Sequence, residues 1–342
     1  MIFFRNDYSE GAHPKVLEAL INTNMEQTLG YGEDHYCLEA ADMIRNKIGV
    51  PDADIHFLVG GTQTNFTALS AFMRPHEAVI SSARGHICVH ETGAIEATGH
   101  KIIAMPTKDA KLKASQIEEA VHYHCDEHMV KPKVVYITNS TELGTTYSKA
   151  ELMEIRQMCD RYNLYLYLDG ARLASALTAP GCDISLQDLG KLTDAFYIGG
   201  TKNGLLFGEA IVITNDKLKE DFRYIIKQKG GLLAKGRLLG LQFKALFEKD
   251  LYFELAQHAN DMSTLLRNGI SQMGFEFLVD STTNQLFPIF PATLVKELEK
   301  VCSFEHEGPV DAEREAIRFV TSWATNEADV LNLLDQLNQL KK

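Results

Sequence analysis

Three polar groups in the sequence each follow an apolar run of the kind that forms a buried strand. The run over residues 55–59 leads into Gly60-Gly61-Thr62-Gln63, the run over 164–169 ends in Asp169, and the run over 195–199 leads to Lys202. Because the carboxyl ends of parallel strands meet at one edge of a sheet, these groups are expected to share a ligand-binding cleft. Together they supply an anion-binding turn, a carboxylate and an amine.

The turn at Gly60-Gly61-Thr62-Gln63 is suited to a phosphate group. It precedes a helix predicted over residues 65–73, so free backbone N–H groups and the positive end of the helix dipole would face the strand edge. The turn matches neither the G-x-x-x-x-G-K-[ST] nor the G-x-G-x-x-G pattern, which favours a single phosphate over a nucleotide. A plain strand-to-helix turn with Thr62 as the helix cap explains the same residues equally well.

Asp169 and Lys202 fit a cofactor that carries a pyridine ring and an aldehyde. A carboxylate inside an apolar cleft needs a partner, and a protonated ring nitrogen would serve. A lysine at the end of a buried strand can lose its proton and form a Schiff base with an aldehyde. Each residue also has a simpler explanation, Asp169 as the cap of the next helix and Lys202 as a solvated loop residue.

The order of these groups resembles that of fold-type I enzymes dependent on pyridoxal 5′-phosphate (PLP) and, more narrowly, the L-threonine aldolase and β-eliminating lyase family. The most specific motif is Asp-Gly-Ala-Arg-Leu at residues 169–173. The other motifs that carry the resemblance are Gly61-Thr62-Gln63-Thr64-Asn65, Gly85-His86-Ile87, Glu91-Thr92-Gly93-Ala94, Thr201-Lys202-Asn203-Gly204 and Ile317-Arg318-Phe319-Val320-Thr321-Ser322. It implies an α/β fold, in which a large PLP-binding domain with a mostly parallel sheet is followed by a smaller α+β domain.

The resemblance also implies roles for individual residues. The protein would contact PLP at its phosphate, its ring and its aldehyde. The residues that would make these contacts are Gly61, Thr62, Gln63, His86, Asp169, Arg172 and Lys202. Within that set, His86 would stack on the ring, Asp169 would hold the ring nitrogen and Lys202 would form the Schiff base. The substrate carboxylate would be bound by Arg172, Arg318 and Asn6, a guanidinium fork being well suited to a carboxylate.

The sequence departs from the family pattern at two places. Asn6 stands where the family's Arg-Ser-Asp-Thr-Val-Thr run has serine, and Asn139-Ser140-Thr141-Glu142 stands where the family has Thr-His-Asn with a histidine of the catalytic site. The base for the substrate hydroxyl is therefore open among His86, His90 and a water held by Glu142. We favour His86, so the predicted catalytic residues are Lys202 and His86.

The function that follows from the resemblance is retro-aldol cleavage of a β-hydroxy-α-amino acid, such as threonine or allo-threonine, to glycine and an aldehyde. A β-eliminating lyase or a class V-like aminotransferase acting on a small amino acid would use the same cofactor and is the first alternative. A PLP-binding protein without catalysis is the second. Related enzymes build their sites between subunits, which implies a homodimer or homotetramer.

Composition excludes several other classes. The net charge of −12 disfavours a nucleic acid partner, because nucleic acid binding rests on a basic face. No apolar run approaches the roughly 20 residues of a membrane span, and no signal peptide is recognisable, so we expect no membrane partner and a cytoplasmic location. Six cysteines without paired spacing predict free thiols. No metal site is expected, since the His-rich tract 122–128 would place only His124 and His128 on one helix face.

Alternating apolar runs and helix-period segments predict βαβ units. The predicted strands of the sheet are 55–59, 78–81, 101–105, 134–138, 164–169, 195–199 and 210–214. The predicted crossover helices are 65–73, 115–127, 149–162 and 184–192. Beyond residue 250 we predict strands at 276–279, 286–289 and 317–322 and helices at 291–300 and from 327. The predicted division is an N-terminal arm (1–30), the large domain (31–250) and the small domain (251–342).

Overall fold

The structure is a computed structural model and describes residues 1–341. The β-strands of that part of the chain are β1 (Ile2–Phe3), β2 (Asp54–Leu58), β3 (Glu77–Ser82), β4 (Lys101–Met105), β5 (Lys131–Thr138), β6 (Tyr165–Asp169), β7 (Ala195–Gly199), β8 (Glu209–Ile213), β9 (Gln285–Leu286), β10 (Ile289–Pro291), β11 (Cys302–Ser303), β12 (Glu305–Pro309) and β13 (Arg314–Val320). The α-helices are α1 (Pro14–Asn22), α2 (His35–Ile48), α3 (Gly61–Phe72), α4 (His86–Val89), α5 (Ala114–Tyr123), α6 (Lys149–Tyr162), α7 (Leu173–Leu177), α8 (Leu186–Leu192), α9 (Phe222–Gln228), α10 (Arg237–Phe247), α11 (Leu251–Gln272), α12 (Ala292–Leu298) and α13 (Glu327–Leu340).

Strands β2 to β8 form one seven-stranded sheet in the order β2-β8-β7-β6-β5-β3-β4. All neighbouring pairs are parallel except those of β8, which runs antiparallel to β2 and to β7. The predicted α/β class with a mostly parallel sheet is therefore confirmed. All seven strands predicted for this sheet are confirmed to within a few residues.

Both faces of the sheet are buried, which explains why its strands are apolar runs without polar alternation. Along β5, Val135 and Ile137 pack into a core on one face, while Val134 and Tyr136 pack into a second core on the other. Successive side chains of a strand point to opposite faces, so each run contributes to both cores. Polar side chains are left for the carboxyl ends of the strands, where the candidate site lies.

The crossover helices agree with the sequence except at their ends. Helix α6 has the predicted bounds, and Ser148 begins it with a capping box in which its hydroxyl accepts the N–H of Glu151. The prediction for α5 was four residues too long, because the helix ends at Tyr123. His124 and His128 lie beyond the end of the helix. The prediction that these two side chains share one helix face was therefore wrong.

The C-terminal part packs around β13, which pairs antiparallel with β9, β10 and β12. The predicted strand at 276–279 was wrong, since an isolated bridge between Phe277 and Pro288 takes its place. The first residues of the chain join this part: β1 pairs parallel with β11, and Phe4 is buried in the same core as Phe319. Helix α11 contributes to the cores of both parts of the chain.

No helix within residues 1–341 has both the length and the apolar character needed to cross a bilayer.

Candidate active site

A cavity of about 480 Å³ opens at the carboxyl edge of the sheet, between the large sheet and β13. Seven of the residues singled out from the sequence line it together: Gly61, Thr62, His86, Asp169, Arg172, Lys202 and Arg318. The side chains of two others, Asn6 and Gln63, do not. His90 and Glu142, the other candidates for the base, also face this cavity. The topology thus brings distant motifs into one place.

The anion-binding turn has the geometry of an uncapped helix N-terminus. Gly60 is the N-cap of α3, its backbone is extended, and no side chain caps the helix. Thr62 lies inside the first turn, so the explanation of this turn as a Thr62 cap is excluded. The helix presents free N–H groups to the cavity, which suits a phosphate. The side chain of Gln63 instead turns back, where its Oε1 accepts the Val59 N–H at 3.3 Å.

Asp169 is buried at the end of β6 and accepts hydrogen bonds on both oxygens. Its Oδ2 accepts the Tyr136 hydroxyl at 2.6 Å and the Asn65 amide at 2.9 Å, and its Oδ1 accepts the Ala171 N–H at 3.0 Å. Helix α7 begins only at Leu173 and has Arg172 as its N-cap, so Asp169 is not a helix cap. The carboxylate is held in one orientation at the cavity.

His86 is linked to Asp169 through two buried side chains. Its Nδ1 lies 2.7 Å from Oε1 of Glu91, and that oxygen also accepts the Asn65 amide at 2.8 Å. Asn65 donates its other amide hydrogen to Asp169, and its Oδ1 accepts the Tyr167 hydroxyl. The sequence predicted neither Asn65 nor Glu91 as a site residue, although both lie in motifs of the family resemblance.

Lys202 lies in the turn after β7 and faces the cavity, so its interpretation as a solvated loop residue is excluded. Its Nζ lies 5.9 Å from the centre of the Tyr8 ring. Burial and, next, the positive charge of Arg172 lower the pKa of the Lys202 amine. A lowered pKa increases the fraction of neutral amine, which is the form that attacks an aldehyde.

The two predicted carboxylate-binding arginines differ in their partners. Arg172 is paired with the buried Asp7, with distances of 2.7 Å from Nε to Oδ2 and 3.0 Å from Nη2 to Oδ1. Burial acts to raise the pKa of Asp7, but the charges of Arg172 and Lys202 outweigh it and hold that pKa below its usual value. Arg318 is in no ion pair within residues 1–341, and its buried Nε has no hydrogen-bond partner there. An anion in the cavity would supply that partner.

Asn6 uses its side chain within its own turn. Its Oδ1 accepts the Tyr8 N–H at 3.1 Å and the Ser9 hydroxyl at 2.8 Å. The neighbouring residues Asp7 and Tyr8 reach the site instead, Asp7 through Arg172 and Tyr8 by lining the cavity. The N-terminal arm therefore contributes Asp7 and Tyr8 to the site, rather than the predicted Asn6.

The chain is similar to known proteins over its whole length. The family model described as beta-eliminating lyase matches residues 4–292. A low specificity L-threonine aldolase of Pseudomonas sp. is 33% identical over 96% of this chain and 95% of its own, and one of Pseudomonas aeruginosa is 31% identical over 94% and 93%. The solved structure of Leishmania major threonine aldolase is 48% identical, with a TM-score of 0.99 and full coverage of both chains.

More distant structures agree in fold. Thermus thermophilus aspartate aminotransferase superposes with a TM-score of 0.73 at 14% identity, over 99% of this chain and 91% of that one. The chain belongs to the beta-eliminating lyase family and has the aspartate aminotransferase-like fold. The resemblance stated from the motifs is confirmed, as are the assignments as an enzyme and of PLP as its cofactor.

Proposed function

We propose that the protein cleaves a β-hydroxy-α-amino acid, threonine or allo-threonine, into glycine and an aldehyde. The observation that carries this proposal is that Lys202, Asp169 and Arg318 face one cavity at the sheet edge. Threonine aldolases that align with nearly the whole chain support it.

The residues present fit PLP. The uncapped N-terminus of α3 suits its phosphate, the fixed carboxylate of Asp169 suits the ring nitrogen, and the face of His86 suits the ring. Lys202 is the amine that would hold the aldehyde carbon. When bound, PLP accepts the electron pair that is released at the substrate Cα when the Cα–Cβ bond breaks.

Arg318 is the proposed anchor for the substrate carboxylate. Its guanidinium has no ion-pair partner among the described residues, whereas Asp7 already occupies two nitrogens of Arg172. Arg172 supplies positive charge close to Lys202 and helps to keep that amine neutral. A carboxylate fixed by Arg318 holds the substrate so that one bond of Cα is broken in preference to the others.

We also propose that the protein is a homodimer or homotetramer. Large apolar side chains are exposed along residues 17–38, where a second copy would cover them. They are Leu17, Ile21, Met25, Leu29 and Leu38. The division at residues 30 and 250 and the cytoplasmic location are kept as predictions.

A product assay tests the proposed reaction against its alternatives. The purified protein, loaded with PLP, is given L-allo-threonine, L-threonine and L-serine in separate reactions. Acetaldehyde and glycine from the first two support retro-aldol cleavage. Pyruvate and ammonia from serine without any aldehyde would support β-elimination, and bound cofactor without turnover would support a PLP-binding protein.

A further inference from the structure

Glu142 lies in the tight turn that follows β5, and its carboxyl group is held at the cavity. Its Oε1 accepts the backbone N–H of His86 at 2.8 Å, and its Oε2 accepts the Thr138 hydroxyl at 3.1 Å. The turn itself is fixed by Thr141, whose N–H donates to the carbonyl of Thr145. Glu142 therefore presents one defined carboxyl group to the space that Lys202 and Arg318 also face.

Within the described residues, no cation is in contact with this carboxyl group to hold its charge. None of the ion pairs formed within residues 1–341 includes Glu142. Burial above all, and then the negative charge of Asp169, raise the pKa of Glu142 to about 7. A carboxyl group that titrates near neutral pH can both accept and release a proton during turnover.

The charged and titratable side chains that share the cavity with Glu142 come from several elements. They are Tyr8, His86, His90, Asp169, Arg172, Tyr197, Lys202, Glu209 and Arg318. His86 already bonds through Nδ1 to Glu91, and its ring face is the one assigned to the cofactor. Burial and the neighbouring charge of His86 lower the pKa of His90, which makes it a weaker base. Glu142 is the remaining candidate from the sequence.

We propose that Glu142 is the catalytic residue that takes the proton of the substrate β-hydroxyl, in place of His86. This inference rests on the proposed retro-aldol function. The hydroxyl O–H bond breaks and its proton moves to the Glu142 carboxylate. The Cβ–O bond becomes a carbonyl double bond, and the Cα–Cβ bond breaks with its electron pair left on the Cα side. A proton from solvent then joins Cα to give glycine, and Glu142 returns the hydroxyl proton to solvent, so that no net proton is gained or lost.

The variant Glu142→Gln tests this role because glutamine keeps the shape and the acceptor for the His86 N–H but cannot titrate. We expect kcat for threonine cleavage to fall about 100-fold or more, with KM changed by less than about 3-fold. In the unchanged protein kcat should rise with pH through the region near 7, because the base must lose its proton. That limb should be absent in the variant. Glu154→Gln, an exposed residue of α6, is the matched control and should behave as the unchanged protein.

A second reaction separates the hydroxyl base from the rest of the machinery. Exchange of the glycine α-proton with D₂O uses Lys202, the cofactor and the carboxylate anchor, but it has no β-hydroxyl. It should proceed at a similar rate in Glu142→Gln and in the unchanged protein. If both reactions fall equally in a folded, cofactor-loaded variant, Glu142 supports the site as a whole and the proposal is wrong.

A measurement that does not depend on turnover follows the carboxyl group directly. Protein labelled with ¹³C at the glutamate carboxyl should show a resonance that titrates near pH 7 and is missing from Glu142→Gln, whereas the resonance of Glu209, whose pKa burial raises to about 8, should remain. A titration midpoint below about 5, or full cleavage activity in the variant, would overturn the role of Glu142 alone. If the unchanged protein exchanges the glycine proton but cleaves no β-hydroxy amino acid, the proposed function fails together with this role.

A conservative variant covers the case in which Glu142→Gln does not fold. Glu142→Asp keeps a carboxyl group but withdraws it by one methylene. We expect lower kcat with the pH-dependent limb retained. A pH profile without that limb in Glu142→Asp would contradict the proposal.

Discussion

The cavity has a paired side and an unpaired side. On the paired side, Asp7 and Arg172 neutralise each other, and both oxygens of Asp169 accept hydrogen bonds. On the unpaired side, Glu142 and Arg318 face the cavity without an opposite charge in contact among residues 1–341. The paired residues hold the shape of the site, and the unpaired residues are available to a ligand. Loss of a paired residue should cost stability, whereas loss of an unpaired one should cost function.

Arg172→Gln should give the largest loss of stability. It leaves Asp7, 1% exposed, as a buried charge without its ion-pair partner. Removing one partner of a buried ion pair typically costs about 3–5 kcal/mol. The free energy of unfolding of the cofactor-free protein, measured with urea, checks this value. A loss below about 1 kcal/mol would show that Arg172 does not belong to the paired side.

Asp169→Ala should destabilise the cofactor-free protein by about 1–3 kcal/mol, because the buried Tyr136 hydroxyl loses its acceptor and Asn65 loses one of two. The double variant with Tyr136→Phe should recover part of that loss, since it removes the unpaired hydroxyl. Equal urea midpoints for the single and double variants would contradict this account of Asp169. The single variant Asp169→Ala should also bind PLP more weakly than the unchanged protein.

Arg318→Gln should change substrate binding and leave stability within about 0.5 kcal/mol of the unchanged protein. A hydrogen bond to a charged group contributes about 1.5–3 kcal/mol, so KM for threonine should rise roughly 10-fold to 100-fold. Steady-state kinetics beside urea unfolding give both quantities. An unchanged KM would remove Arg318 as the anchor and move that role to Arg172.

The smallest predicted effect is a change in acid stability at Asp7. Because its pKa is lowered in the folded protein, its ion pair stabilises the fold fully above the unfolded pKa of about 3.9. That contribution is lost as the pH falls through the folded pKa. In Asp7→Asn the free energy of unfolding should therefore fall less steeply with decreasing pH below about pH 4. The difference in slope from the unchanged protein should correspond to the uptake of less than one proton on unfolding. Identical slopes would show that Asp7 does not titrate with unfolding.

The parallel sheet and most cavity residues could be predicted because both depend on local signals. Apolar runs with β-branched residues predict buried strands, and polar residues at their carboxyl ends predict a cleft there. Lys202 and Asp169 were found in this way. Helix α6 was predicted with its exact bounds from the helical period of its apolar residues, and the structure adds the capping box of Ser148 and Glu151 at its start.

The features that could not be predicted from the sequence depend on contacts between residues far apart in the chain or on the directions of individual side chains. The pair of Asp7 with Arg172 joins residues 165 positions apart, and β1 finds its partner β11 some three hundred residues later. No local pattern indicates either pairing. The roles of Asn6 and Gln63 were inferred from motifs alone, whereas the folded structure shows that their side chains accept hydrogen bonds from neighbouring backbone N–H groups.

Lys202 is the amine that we expect to hold the cofactor. Reduction of the PLP-loaded protein with borohydride, followed by digestion and mass spectrometry, locates the lysine to which the cofactor becomes permanently attached. We expect the added mass on the peptide that contains Lys202, and no label and no visible cofactor absorbance in Lys202→Ala. Label on another lysine, such as Lys229, or equal cofactor absorbance in the variant would contradict the account of the site.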